Sequence, residues 1–231
     1  MTRSTANKCR IMGVIGRSGS GKGTFVKAFC RKWRKGILVW SPLEATDQYA
    51  QVIGGVRVSS VAELVAALKA GQKRIVMQPS LDPKVIKVQF DRFCRVAWEL
   101  DGWMVIVEEL SRVTMASWAP IPWKNLSTAG RHGGMFLIGT SQRPAQVDKD
   151  FLGNCSEIRS YGVGSKRDAV AMADVLFCDW KEIIGLPLGH YLHRYVDTNK
   201  VERGVVVLQD PLKKTTKKQP AAPAARLEKA A

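Results

Sequence analysis

GRSGSGKGT, residues 16–24, is the stretch on which the reading of this chain turns. Gly16 and Gly21 bracket four residues, and Lys22 follows at once. Glycines at these places let consecutive backbone N–H groups turn toward one anion, and a helix beginning at Lys22 adds its positive end. The loop needs a strand before it and a helix after it. Both are legible. CRIMGVIG, 9–16, is a short apolar run ending in glycine. GTFVKAFCRKWRKG, 23–36, places Phe25, Val26, Phe29, Cys30 and Trp33 at helical spacing and stops at Gly36. Gly16, Arg17, Ser18, Gly19, Ser20, Gly21, Lys22, Gly23 and Thr24 are therefore the candidate nucleotide-binding residues, with Lys22 directed to the β- and γ-phosphates of ATP. A Ser or Thr usually follows the lysine and reaches Mg²⁺. Here Gly23 holds that place, and Thr24 is the candidate for the hydroxyl, directly or through water.

Outward from the loop, apolar runs alternate with amphipathic ones. ILVW, 37–40, RIVMQP, 74–79, WMVIVEEL, 103–110, and MFLIGTSQRP, 135–144, read as buried strands. Residues 59–71, 83–102 and 165–180 have helical period, and 123–134 reads as a short helix and turn. Residues 189–210 read as two strands around a polar turn at Asp197, Thr198 and Asn199. The expected fold is α/β: a mostly parallel sheet flanked by helices, with the phosphate loop after its first strand and an antiparallel C-terminal hairpin. Residues 1–210 are expected to form one ATPase domain, and 211–231, rich in Lys, Pro and Ala, a basic disordered tail.

Composition narrows the partners. The 231 residues carry 36 Lys and Arg against 20 Asp and Glu, a formal charge of +16, and no acidic residue precedes Glu44. Such an excess is expected to attract a polyanion, with nucleic acid the first candidate and an anionic membrane or acidic partner open. No apolar run approaches the ~18 residues of a membrane span, so the chain is not expected to be transmembrane. The five cysteines form no CxxC pair and read as reduced thiols. His190 and His193 read as ordinary polar residues near a strand.

Two further stretches carry chemistry. In VIVEEL, two carboxylates leave the end of an apolar strand. Glu108 is the candidate for the Mg²⁺ shell and Glu109 for the attacking water. In GRHGGMFLIGTSQRPAQVDKDFLGNC, 130–155, Gln142 stands just beyond a strand, where it can sense a γ-phosphate, and Arg131 precedes that strand.

The last stretch resembles the sensor region of the FtsK–HerA superfamily of DNA-pumping ATPases. The resemblance rests on Arg131, Gly134, Ser141, Gln142, Arg143, Pro144, Asp148 and Lys149, and the phosphate loop and VIVEEL stand in the superfamily's order. It spans roughly residues 9–208. It implies a RecA-like P-loop NTPase core acting as a homo-oligomeric ring, usually a hexamer, that moves double-stranded DNA, with an arginine from one subunit completing the neighbour's ATP site. Arg131 is the first candidate for that residue and Arg143 the second. The small size of the core resembles the genome-packaging ATPases of tectivirus-like, internal-membrane viruses. That implies action in the host cytoplasm and at the virion's packaging vertex, beside a capsid vertex or its membrane proteins. Residues 111–124, with Arg112 and Lys124, are the candidate DNA-facing segment, or a connection packed down by Trp118 and Trp123. The alternatives are a cellular or plasmid HerA-like translocase, a nucleoside monophosphate kinase, whose loops also end GKGT, and a DNA-binding protein that uses ATP as a switch.

Overall fold

The computed structural model describes residues 10–129 and 134–207. Nine strands form one sheet in the order β3-β4-β2-β5-β6-β1-β7-β8-β9. They are β1 (Arg10–Ile15), β2 (Ile37–Trp40), β3 (Val56–Val58), β4 (Arg74–Met77), β5 (Met104–Val107), β6 (Phe136–Ser141), β7 (Glu157–Tyr161), β8 (His190–Tyr195) and β9 (Lys200–Val205). Neighbours from β3 through β7 are parallel, and β8 and β9 are antiparallel, as the sequence leads one to expect.

The helices are α1 (Lys22–Lys32), α2 (Glu44–Asp47), α3 (Tyr49–Ile53), α4 (Val61–Lys69), α5 (Pro83–Trp98), α6 (Ile121–Ala129), α7 (Lys149–Asn154), α8 (Lys166–Leu176) and α9 (Trp180–Ile184). Because strand side chains alternate between faces, two apolar cores form. Ile11, Ile15, Leu38 and Trp40 pack under α4 to α9, around Phe90, Trp123, Phe151 and Met172. Met12, Val14, Ile37 and Val39 pack under α1 and α3, around Val26, Cys30, Tyr49 and Ile53.

The helix starts follow local chemistry. Ser60 Oγ accepts from Glu63 N at 3.2 Å, and Asp82 accepts from Lys84 N and Val85 N with Pro83 at the first helical position. The expected helix over 165–180 ends at Leu176, because Phe177 takes φ 55° and breaks the turn before α9 begins at Trp180. The apolar strand of VIVEEL ends at Val107, so both carboxylates lie beyond it. The sequence reading leaves out β3, α2, α3, α7, β7 and α9. β7, EIRSY, is polar yet wholly buried. Glu157 binds Arg10 through two hydrogen bonds and lies 3.1 Å from His193 Nε2, while His193 Nδ1 accepts from Arg159 Nε at 3.0 Å. The Arg159 guanidinium in turn lies between the Phe25 and Tyr191 rings, 3.6 and 3.7 Å from their centroids. Glu157 and Arg159, the charged residues of the strand, thus find partners, which offsets the cost of burying them.

Candidate functional site

In a parallel sheet the loops after the strands emerge at one edge, where ligands bind. The loops following β1, β2, β5 and β6 meet there. β8 runs the other way, so the residues before it reach the same edge. A cleft of about 670 Å³ results, lined by residues 18–24, Lys27, Leu43, Thr46, Asp47, Glu108, Glu109, Gln142 and Leu188.

The loop is built by backbone conformation. Gly16 has φ 155°, and a Cβ there would lie 2.6 Å from Tyr161 Cβ and 2.7 Å from Ser20 Oγ. Gly16 N donates to Ser141 O at 3.1 Å, and Arg17 N to Gly162 O at 2.9 Å, which ties the loop to β6 and to the end of β7. Gly21 precedes α1 with φ 111° and offers no side-chain cap, so the first-turn N–H groups face the loop without an internal acceptor. Lys22 curls back, its Nζ donating to Gly16 O at 2.6 Å and Arg17 O at 3.1 Å. Burial lowers its pKa, while the nearby Glu109, Glu108 and Asp47 carboxylates oppose that shift.

Glu108 is buried. Its two oxygens accept hydrogen bonds from the Tyr49 hydroxyl and the Thr140 hydroxyl. Burial raises its pKa, and those two donors hold the rise back. Thr140 Oγ1 also accepts from Glu109 N at 3.3 Å, so one hydroxyl joins both acidic residues. Glu109 adopts φ 56°, a left-handed conformation costly for a side chain-bearing residue and concentrated at functional sites. Its carboxylate accepts from Gln142 Nε2 at 2.6 Å. β6 stands between β1 and β5, and so delivers Gln142 between the loop and the carboxylates.

Several residues of the site escape sequence reading, among them Asp47 in the cleft lining and Tyr49, buried against Glu108. Asp47 accepts from Ser41 Oγ at 3.2 Å, and burial raises its pKa against that hydrogen bond. Tyr49 reaches Glu108 from 59 positions away. Neither sits in a motif, and only the preceding strand, ILVW, signals that a loop follows. Hard oxygen donors suit magnesium, which takes one or two carboxylates together with substrate phosphates and water. Thr24 and Glu108 line one cleft and fit such an ion, Glu108 with the lone pairs its hydroxyl partners leave.

Other expected residues lie elsewhere. Arg143 is outside the cleft, its Nε 3.0 Å from Asp168 Oδ2 at the start of α8. Arg131 falls outside the described residues. Lys124 pairs with Asp150 at 3.0 Å, and Arg112 is exposed. Trp118 and Trp123 divide: Trp123 is fully buried and Trp118 is exposed. His193 serves the β7 network, and among the described residues no group of three or more His, Cys, Asp and Glu side chains is placed to hold a metal by itself.

No family model matches the chain. Protein P9 of Pseudoalteromonas phage PM2 is 27% identical over 175 residues, which span 74% of this chain and 76% of that protein. The genome packaging NTPase B204 of Sulfolobus turreted icosahedral virus 2, solved with AMP and also with AMPPCP and ATP-gammaS, is similar in structure. With AMP it matches at a TM-score of 0.69 and 14% identity, over 87% of this chain and 98% of its own. VirB4 of Thermoanaerobacter pseudethanolicus matches at a TM-score of 0.66 and 10% identity, over 87% and 90% of the two chains. The chain is thus similar in sequence to a phage protein, and in fold to a viral packaging NTPase and to VirB4.

Proposed function

We propose that this chain is a viral genome-packaging ATPase that drives double-stranded DNA into a preformed capsid. The observation that carries the reading is the convergence, in one cleft, of the phosphate loop, two carboxylates after β5 and Gln142 after β6. The likeness to a packaging NTPase solved with adenine nucleotides, and to a phage protein, supports the viral setting.

The roles follow from position. The loop amides and Lys22 hold the β- and γ-phosphates of ATP. Thr24 and Glu108 hold Mg²⁺, which when bound neutralises phosphate charge. Glu109 orients a water and takes its proton as the oxygen attacks the γ-phosphorus. The bond to the β-phosphate oxygen breaks, leaving ADP and phosphate. Gln142, bonded to Glu109, is placed to report loss of the γ-phosphate. The chain acts as a homo-oligomeric ring, a hexamer in this reading, with Arg131 or, second, Arg143 reaching the neighbour's cleft. Such an arginine adds roughly 10³ to 10⁵ in rate. The ring works in the host cell and at the packaging vertex of the virion, where a capsid or membrane protein anchors it. No helix among the described residues is long and apolar enough to cross a membrane.

Phosphate release from ATP, with and without long double-stranded DNA, tests the reading on the natural chain and Lys22→Ala. DNA-stimulated release that the variant loses is expected. Transfer of phosphate to a nucleoside monophosphate, with no response to DNA, would replace the motor by a kinase.

A further inference from the structure

The residue after the loop lysine is a glycine, and a second lysine leans over it. A Cβ built on Gly23 would lie 3.8 Å from Lys27 Nζ. Lys27 stands four positions further along α1, on the same face, and helical side chains lean toward the N-terminus of their helix. Its ammonium is thereby carried back beside the first turn of α1 and not out into solvent. Lys27 is half-buried and lines the same cleft as Gly23, Thr24 and Glu108.

The surroundings of that ammonium are specific. Nζ lies 5.2 Å from the centroid of the Tyr49 ring, whose hydroxyl donates to Glu108. Asp47 stands in its field: burial raises the pKa of that carboxyl, and the Ser41 hydrogen bond and then the Lys27 charge oppose the rise. Yet among the described residues Lys27 forms neither an ion pair nor a hydrogen bond. An ammonium has three N–H donors, so all three stand ready for a ligand. Lys22 differs, since its Nζ already donates to Gly16 O and Arg17 O.

Electrostatics gives that ammonium a task. Asp47, Glu108 and Glu109 all line the cleft, and with Lys27 left aside Lys22 is the cation that faces them. Carboxylates repel a polyphosphate, and partial exclusion of water strengthens the repulsion. A lysine is a compact charge on a flexible four-carbon stem, able to turn from an aromatic ring to an anion. Beside Asp47 and Tyr49, Lys27 stands on the carboxylate side of the loop, which is the side of the terminal phosphate in the reading above.

We propose that Lys27 is a second phosphate-binding residue of this site, its ammonium donating to the terminal phosphate of ATP from its place beside Gly23. The inference rests on the nucleotide reading above and adds a residue to it. ADP lacks that phosphate, so the contact favours ATP over ADP. Hydrolysis removes the contact, and the product is held less tightly than the substrate.

Binding of a non-hydrolysable ATP analogue and of ADP to the full chain, each with Mg²⁺, tests this on the natural chain, Lys27→Met and Lys27→Gln. Both variants remove the charge, the first keeping an unbranched apolar stem and the second a polar end. Each is expected to bind the analogue about 10- to 100-fold more weakly, with ADP affinity and melting temperature as in the natural chain. Equal loss for the two nucleotides would mean that Lys27 only supports Tyr49 and Asp47, and would overturn the proposal. So would variants that bind both nucleotides like the natural chain. Lys22→Ala reads the loop separately. A natural chain that binds neither nucleotide, or a Lys22→Ala variant that binds both unchanged, would remove the nucleotide reading and this proposal with it.

Discussion

Gln142 Nε2 donates a 2.6 Å hydrogen bond to the Glu109 carboxylate, joining the loop after β6 to the loop after β5 across the cleft. The bond fixes the direction of a carboxylate that the Tyr49 and Thr140 hydroxyls do not engage. Glu109→Gln keeps the shape and removes the carboxylate's charge and basicity. Steady-state release of phosphate should fall by about 10² to 10⁴, with affinity for an ATP analogue within a few-fold of the natural chain. Gln142→Ala should lower the rate less than Glu109→Gln. Equal loss of affinity and rate in both variants would mean that the pair serves binding.

Gly16→Ala tests the loop's backbone. A Cβ at Gly16 would press on Tyr161 Cβ and Ser20 Oγ, so the loop must shift or the end of β7 must give. Urea denaturation should show a loss of about 1–3 kcal/mol, together with weakened nucleotide binding. Gly19→Ala is the control, because a Cβ there meets nothing within 4 Å, although φ 69° still costs it some strain.

Tyr49→Phe removes one of the two hydroxyl donors to buried Glu108. Leaving a buried acceptor short of its donor costs about 1–3 kcal/mol, readable in the same denaturation. Thr140→Val removes the other donor. Because both act on one carboxylate, the double variant should depart from additivity by at least about 0.5 kcal/mol. Simple additivity would show that the two hydroxyls act independently.

The Glu157 carboxyl gives a pH signature. Burial pushes its pKa up, but hydrogen bonds from His193 and Arg10, with the Arg10 charge, outweigh that and bring it from 4.5 down to about 2. A folded-state value below the unfolded one stabilises the fold fully above about pH 4.5, and that contribution drains away as the pH falls toward 2. The natural chain should therefore exceed Glu157→Gln in stability by up to about 3 kcal/mol at pH 6, with the gap narrowing steadily below pH 4.5. A gap that stays constant across that window would show that the carboxylate's charge is not what stabilises the strand.

The phosphate loop and the buried strands β1, β2, β5 and β6 are legible in the sequence because their causes are local. The loop's donors come from consecutive residues, and a fully buried strand reads as an unbroken apolar run. The carboxylate pair and Gln142 are legible for the same reason, each closing such a run. β7 is not. EIRSY looks like a surface segment until Arg10, His193, Tyr191 and Phe25 are brought around it from other elements.

The sequence by itself determined an α/β sheet that carries a glycine-rich loop at residues 16–24 between a strand and a helix and closes on an antiparallel hairpin. Only the tertiary structure decided that β6 lies between β1 and β5, that Tyr49 and Thr140 clamp Glu108, and that Asp47 joins the cleft. The physical reason is separation. Hydrogen bonds such as Tyr49 to Glu108 and Gln142 to Glu109 link residues 59 and 33 positions apart. The packing of strands, not any spacing along the chain, sets such distances.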